Sequence, residues 1–131
     1  MASTSEKEVE KSILEALSWY PGYFWKNNSV GVYDARKGVY RKARSKYIIN
    51  GVSDILGVLN GKFVAIEVKS AKGRLSESQK EFLHQVNQEG GIAFVARSVE
   101  DVIGKLQDEF TSRRQVSIQN SLSGAEDLPE V

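Results

Sequence analysis

The chain has no cysteine and a single histidine among its 131 residues, which excludes a disulfide framework and a thiolate zinc site alike. The lone His84 falls in a helical pattern, where a histidine is more often a surface or hydrogen-bonded residue than a catalyst. Long apolar runs are missing as well. No stretch approaches the roughly 20 residues of a membrane span, and the polar N-terminus is unlike a secretory signal. The expectation is a cytoplasmic protein with no membrane partner. Net charge is close to zero, +1, yet it is segregated. Between Asp34 and Lys46 the bases Arg36, Lys37, Arg41, Lys42, Arg44 and Lys46 face one acid, while the end, residues 126–131, is acidic. Such asymmetry suggests a nucleic-acid surface plus a tail, and Tyr33, Tyr40 and Tyr47 interleave with the bases in a way that suits phosphates and unpaired bases. The alternative is a solvated charged loop.

Against that background one segment stands out: Asp54-Ile-Leu-Gly-Val-Leu-Asn-Gly-Lys-Phe-Val-Ala-Ile-Glu-Val-Lys69. Asn60-Gly61 is a strong two-residue hairpin signal, because both residues tolerate the positive φ of a type I′ turn. Pairing Leu59 with Lys62 across that turn, and carrying the register back along both strands, sets Asp54 directly opposite Glu67. Side chains so opposed have Cβ atoms roughly 4.5 to 5.5 Å apart, and like charges there destabilise the sheet unless something compensates them. Lys69, two residues past Glu67, shares its face. Two carboxylates and an amine therefore converge, a hard-oxygen set suited to Mg²⁺, with Mn²⁺ able to substitute. Phosphodiester chemistry is the natural reading. The bland alternative is a solvated Glu67/Lys69 ion pair of small worth. However, residues 63–68 are apolar on both faces around the acid, as in a sheet covered on two sides. Burial makes an unpaired acid costly, and perturbed charges of this kind cluster at functional sites.

The rest of the chain reads as one α/β domain over residues 1–111 and a polar tail over 112–131. A first helix spans about Ser5 to Trp19, with Val9, Ile13 and Leu17 at helical spacing, and Tyr20-Pro21-Gly22 ends it. Glu6 falls on that apolar stripe and points toward the sheet; its alternative role is in a capping box with Ser3. A short aromatic strand runs from Tyr23 to Asn28, and residues 34–50 form a hairpin around Lys37-Gly38. After Lys69 a basic connection carries Lys72 and Arg74. Ser76 then starts a helix reaching about Glu89, with Gln79 completing a capping box. Ile92 to Ala96 is a buried strand, joined to the preceding one by a helical crossover. Ser98 caps a last helix with Val99, Val102, Ile103, Leu106 and Phe110 inward.

Gly51-Val-Ser-Asp54, Ile66-Glu67-Val-Lys69 and the downstream Gln79 resemble the PD-(D/E)XK nuclease superfamily, and specifically the small stand-alone VRR-NUC type of viruses and bacteria. The resemblance runs from about Glu6 to Ala96. Proline often precedes the first acid in the superfamily; here Ser53 does, as is usual in the VRR-NUC branch. The resemblance implies a restriction-endonuclease-like core, with a mixed sheet of about four or five strands flanked by helices. It also implies a catalytic set of Asp54, Glu67, Lys69, Gln79 and Glu6, the last reaching the metal from the first helix with Glu10 as fallback. Lys26, Asn28 and Ser29 become candidate phosphate contacts beside the site.

The expected mechanism has Asp54, Glu67 and the Val68 carbonyl holding Mg²⁺ while Lys69 positions a water and offsets charge in the transition state. No organic cofactor is expected. The resemblance implies cleavage leaving a 5′-phosphate and, since one small domain carries one site, a homodimer that cuts both strands of a four-way (Holliday) DNA junction. Two alternatives stand beside it: a monomeric flap or nick nuclease, and a catalytically silent DNA-binding module with the same fold.

Overall fold

A computed structural model of the protein describes residues 4–28, 32–41 and 46–123. Its elements follow the order helix α1 (Glu6–Leu17), strands β1 (Tyr23–Lys26), β2 (Val32–Asp34), β3 (Val39–Arg41), β4 (Ile55–Leu59) and β5 (Lys62–Val68), helix α2 (Glu77–Gln88), strand β6 (Ile92–Ala96) and helix α3 (Val99–Ser123). Four strands form one mixed sheet in the order β1-β4-β5-β6, and β2 pairs with β3 apart from it. The β1, β4 and β5 neighbours are antiparallel, whereas β5 and β6 run parallel with α2 as the crossover. The four-stranded sheet and three flanking helices are the α/β architecture expected from the sequence. Among the described residues no helix is long and apolar enough to cross a membrane.

The Asn60-Gly61 turn sets the register of the two central strands, β4 and β5. Asn60 and Gly61 take φ of 54° and 77°, the two positive angles of a type I′ turn, and the ladder runs from Leu59↔Lys62 to Ile55↔Ile66. Asn60 donates its amide to the carbonyl and carboxylate of Glu109, which Lys62 also engages. The turn is thus fastened to α3, and Lys62 and Asn60 hold the Glu109 carboxyl below its ordinary range.

Alternation along the strands divides the sheet into two covered faces. Ile55, Leu59, Val64, Ile66, Val68, Phe94 and Ala96 meet Val9, Ile13 and Leu17 of α1 and Val102, Leu106 and Phe110 of α3. Each of these large side chains contributes about 1.5–3 kcal/mol by leaving water. On the other face Leu83 of α2 packs on Ala65 and Ala93, with Leu56, Phe82 and Val86 around it.

Several boundaries differ from the sequence reading. The N-cap of α1 is Ser5, in extended geometry and accepting the Glu8 N–H at 3.2 Å. The Ser3–Glu6 box is therefore not the cap, since Glu6 is the first helical residue rather than the third; Ser3 itself lies outside the described residues. Helix α3 continues well past Phe110, where its inward apolar spacing ends. The expected hairpin around Lys37-Gly38 is present as β2 and β3, with Gly38 at φ 64°.

Candidate active site

Continuing the β4–β5 register one step beyond Ile55↔Ile66 brings Asp54 opposite Glu67, at the end of the sheet where α2 begins. Asp54 is fixed there by its own backbone and side chain. Its carbonyl accepts the Asn27 N–H at 2.7 Å, and its Oδ2 accepts the Val68 N–H at 2.9 Å. The segment leading to it is seated by Gly51, whose φ is 78° and whose missing Cβ would collide with the Ser78 backbone at the start of α2. Only glycine meets both conditions without strain.

Glu67 is 2% exposed. Its Oε1 accepts the Gln79 amide Nε2 at 3.0 Å and lies 3.9 Å from Lys69 Nζ, while Oε2 is buried with no partner. The Lys69 side chain is itself only 12% exposed. Burial, first of all, pushes the Glu67 carboxyl up to about 8. The Asp54 carboxyl facing it adds to this, Lys69 opposes it, and the Glu6 charge raises it slightly. The pocket therefore lacks positive charge: two acids share it with one lysine, and one carboxylate oxygen has no donor. A divalent cation would supply what is missing, so the residues fit one. Among the described residues no three His, Cys, Asp or Glu side chains gather at one point. The fit is thus to an ion that takes one or two carboxylates and keeps waters or phosphate oxygens for the rest, the habit of Mg²⁺.

The Gln79 amide divides its two ends between the expected capping box and the acid: Oε1 accepts the Ser76 N–H at 2.9 Å while Nε2 donates to Glu67. The Ser76 hydroxyl accepts the Gln79 N–H in return.

The other expected residues are placed as follows. Glu6 is exposed on the first turn of α1, the helix that packs on the face opposite α2, and it acts on Glu67 through its charge. Glu10 is ion-paired with Lys26 at 3.0 Å, so the fallback acid and a candidate phosphate contact hold each other. Arg36 and Lys37 are exposed on the β2–β3 turn, and Lys46 lies over the Tyr47 ring at 5.1 Å. Asn28 follows β1, and Lys72 and Arg74 are exposed on the connection after Lys69. Ser29, Lys42 and Arg44 lie outside the described residues, as does the acidic end, and the Arg41 side chain is likewise not described.

The sequence reading passed over Arg97. Its guanidinium donates to the Ser70 carbonyl and, at 2.8 Å, to that of Gly73, pinning the basic connection next to Lys69. A lone arginine between a strand and a capping serine carries no pattern that would have revealed this. Ser53 was also missed as a buried group; it is fully buried with an unpartnered hydroxyl, next to Asp54 in the chain.

No curated protein matches this sequence. A solved structure described as a VRR_NUC domain protein superposes with a TM-score of 0.60 at 18% identity, covering 84% of this chain and 91% of that one, so the two share a fold. The model of the VRR-NUC domain family matches residues 6–100, a span holding both acids, Lys69 and Gln79. The chain belongs to the VRR-NUC domain family, and membership implies nuclease-type processing of DNA.

Proposed function

We propose that the protein is a metal-dependent, structure-specific endodeoxyribonuclease that acts as a homodimer on four-way DNA junctions. The observation that carries the hydrolytic reading is the buried Glu67, with an unpartnered oxygen, facing Asp54 beside Lys69. A silent DNA-binding module would gain affinity by losing buried acids that repel phosphate. This chain keeps them and orients one of them through Gln79.

Asp54, Glu67 and the Val68 carbonyl would hold the Mg²⁺, with Mn²⁺ as substitute; when bound, the ion polarises the scissile phosphate and lowers the pKa of bound water. Gln79 keeps the Glu67 carboxylate from rotating. The Val68 N–H does the same for Asp54. Lys69 places a positive charge where the phosphate oxygens gain negative charge in the transition state, and does so in a half-dry site where that charge is screened less than in water.

What supports a dimer is an apolar groove of about 610 Å³ between α2 and Ile49–Asn50, with Phe63, Phe82 and Val86 in its walls. A second copy covering it would bring a second site to the second strand. The test incubates labelled four-way junction, flap, linear duplex and single strands with Mg²⁺, Mn²⁺ or EDTA. Paired symmetric nicks confined to the junction, absent in EDTA, are expected. Equal cleavage of flaps by a monomer would replace the junction reading, and binding without cleavage in either metal would replace the enzyme.

A further inference from the structure

Helix α2 covers only part of its face of the sheet. Leu83 lies on Ala65 and Ala93, over β5 and β6, with Leu56 of β4 at its margin, and β1 and the turn end of β4 stay open. Tyr23, Trp25 and Val58 are 73%, 40% and 42% exposed there, with Phe63 of β5 beside them at 38%. The register makes them one patch: Tyr23 pairs with Val58, Val58 with Phe63, and Trp25 with Leu56. Phe24, between the two aromatic residues, turns to the opposite face and packs on the core. The Tyr23 and Trp25 rings lie 5.6 Å apart, tilted by 52°.

Nothing in the fold requires this. Edge strands are ordinarily blunted with charge or covered, and β1 is an edge that displays two large rings. The patch runs directly into the acid pair, since Asp54 and Glu67 stand on the same face one pair of residues further along their strands than Leu56 and Ala65. Along the strands that offset is roughly 7 Å for Trp25 and roughly 14 Å for Tyr23, lengths that one and two extended nucleotides span. A strand whose phosphate sits at the acids would hold its next bases over these rings. Lys72 and Arg74, exposed on the connection beyond Lys69, supply the complementary charge for the adjoining phosphates.

We infer that Tyr23 and Trp25 form a stacking platform for unpaired nucleobases next to the scissile phosphate. The inference rests on the nuclease reading and specifies its substrate: DNA with bases out of the duplex beside the cut. Aromatic faces accept any base, because every base has a π-face, so the platform selects unpaired structure rather than sequence. A second copy of the chain, proposed above for the adjoining groove that Phe63 also lines, is the competing occupant of the patch itself. Scaled by aromatic side-chain areas of roughly 150–250 Å², the exposed parts of the four side chains total on the order of 400 Å², about half of the ~800 Å² per partner that a stable interface buries.

The test measures binding of the full chain in EDTA, so that no cleavage occurs, to labelled oligo(dT) and to a blunt duplex of equal length. Tyr23→Ala and Trp25→Ala should each weaken oligo(dT) binding by about tenfold or more, with duplex affinity changed less than about twofold. Tyr23→Phe and Trp25→Phe should restore most of the loss, and a melting curve for each variant confirms that it folds. Equal losses on both ligands, or no loss on either, overturn the platform. A halving of the particle mass in the alanine variants also overturns it, because the face would then belong to a second copy. The outcome is separable from the nuclease reading: if Glu67→Gln still cleaves DNA while the alanine variants lose oligo(dT), the assigned chemistry fails and the platform stands.

Discussion

Gln79 donates its amide Nε2 to Glu67 at 3.0 Å while its own Oε1 closes the cap of α2. The helix start and the acid are thereby mechanically one unit, and the two functions can be separated by mutation. Ser76→Ala should cost about 1 kcal/mol of stability, the usual worth of an N-cap, and leave turnover near that of the parent. Gln79→Ala should lose both, with turnover down by about 10–100-fold, as is typical when a group orienting a metal ligand is removed. Melting curves alongside nuclease assays check this; equal turnover in the two variants would reduce Gln79 to a cap.

The raised carboxyl of Glu67 sets a pH dependence with an unusual sign. An acid that titrates near 8 in the folded protein and near 4.5 when exposed binds its proton more tightly folded than unfolded. Its contribution to stability is therefore complete below about pH 4.5 and declines as pH rises through the window up to about 8, by at most about 1.4 kcal/mol per pH unit. Urea unfolding in EDTA across that range should show the decline, and Glu67→Gln should flatten it. A stability that rises with pH over the window in the parent, relative to the variant, would contradict the buried-acid geometry.

Metal should reverse this penalty. Mn²⁺ or Mg²⁺ bound to the folded state raises the melting temperature by mass action and displaces the Glu67 proton, so calorimetry near pH 7 should register proton release. Asp54→Asn keeps an oxygen for the Val68 N–H and removes the repulsion, so it should stabilise the metal-free protein and abolish most of the metal-induced shift. If Asp54→Asn instead destabilises the metal-free protein and the shift survives, Asp54 is a structural acceptor only.

The basic connection after β5 can be read through salt. Each lysine or arginine that contacts phosphate releases condensed counterions, so replacing Lys72 and Arg74 by Ala should reduce the slope of log affinity against log salt by about one apiece. An unchanged slope would mark them as solvated surface charges.

The hairpin carrying the acids was legible because two local signals agree: Asn60-Gly61 accepts only a narrow turn geometry, and the period of two along each strand then fixes every opposing pair. Asp54 opposite Glu67 follows from that arithmetic alone. Where the rules leave freedom, the reading slipped. Ser3 and Ser5 are both able caps by residue type, and the structure uses Ser5. The Ser76–Gln79 cap is written in the spacing, whereas the bond from Gln79 to Glu67 is not, because sequence does not show which way the two ends of an amide point. The exposure of Tyr23 and Trp25 was hidden for a different reason. Alternation tells which residues share a face, but which stretch of that face a helix covers depends on where α2 lands.

Gly51 has a meaning beyond its turn. With no side chain there, the arm that delivers Asp54 rests on the Ser78 backbone at the start of the helix that delivers Gln79. Two elements far apart in sequence are shimmed to a tolerance smaller than one methyl group. A single carbon added at Gly51 would act as a wedge, prising the carboxylate of one arm away from the amide of the other. The proposed catalytic centre would be misaligned through a residue that carries no charge and donates no side-chain hydrogen bond.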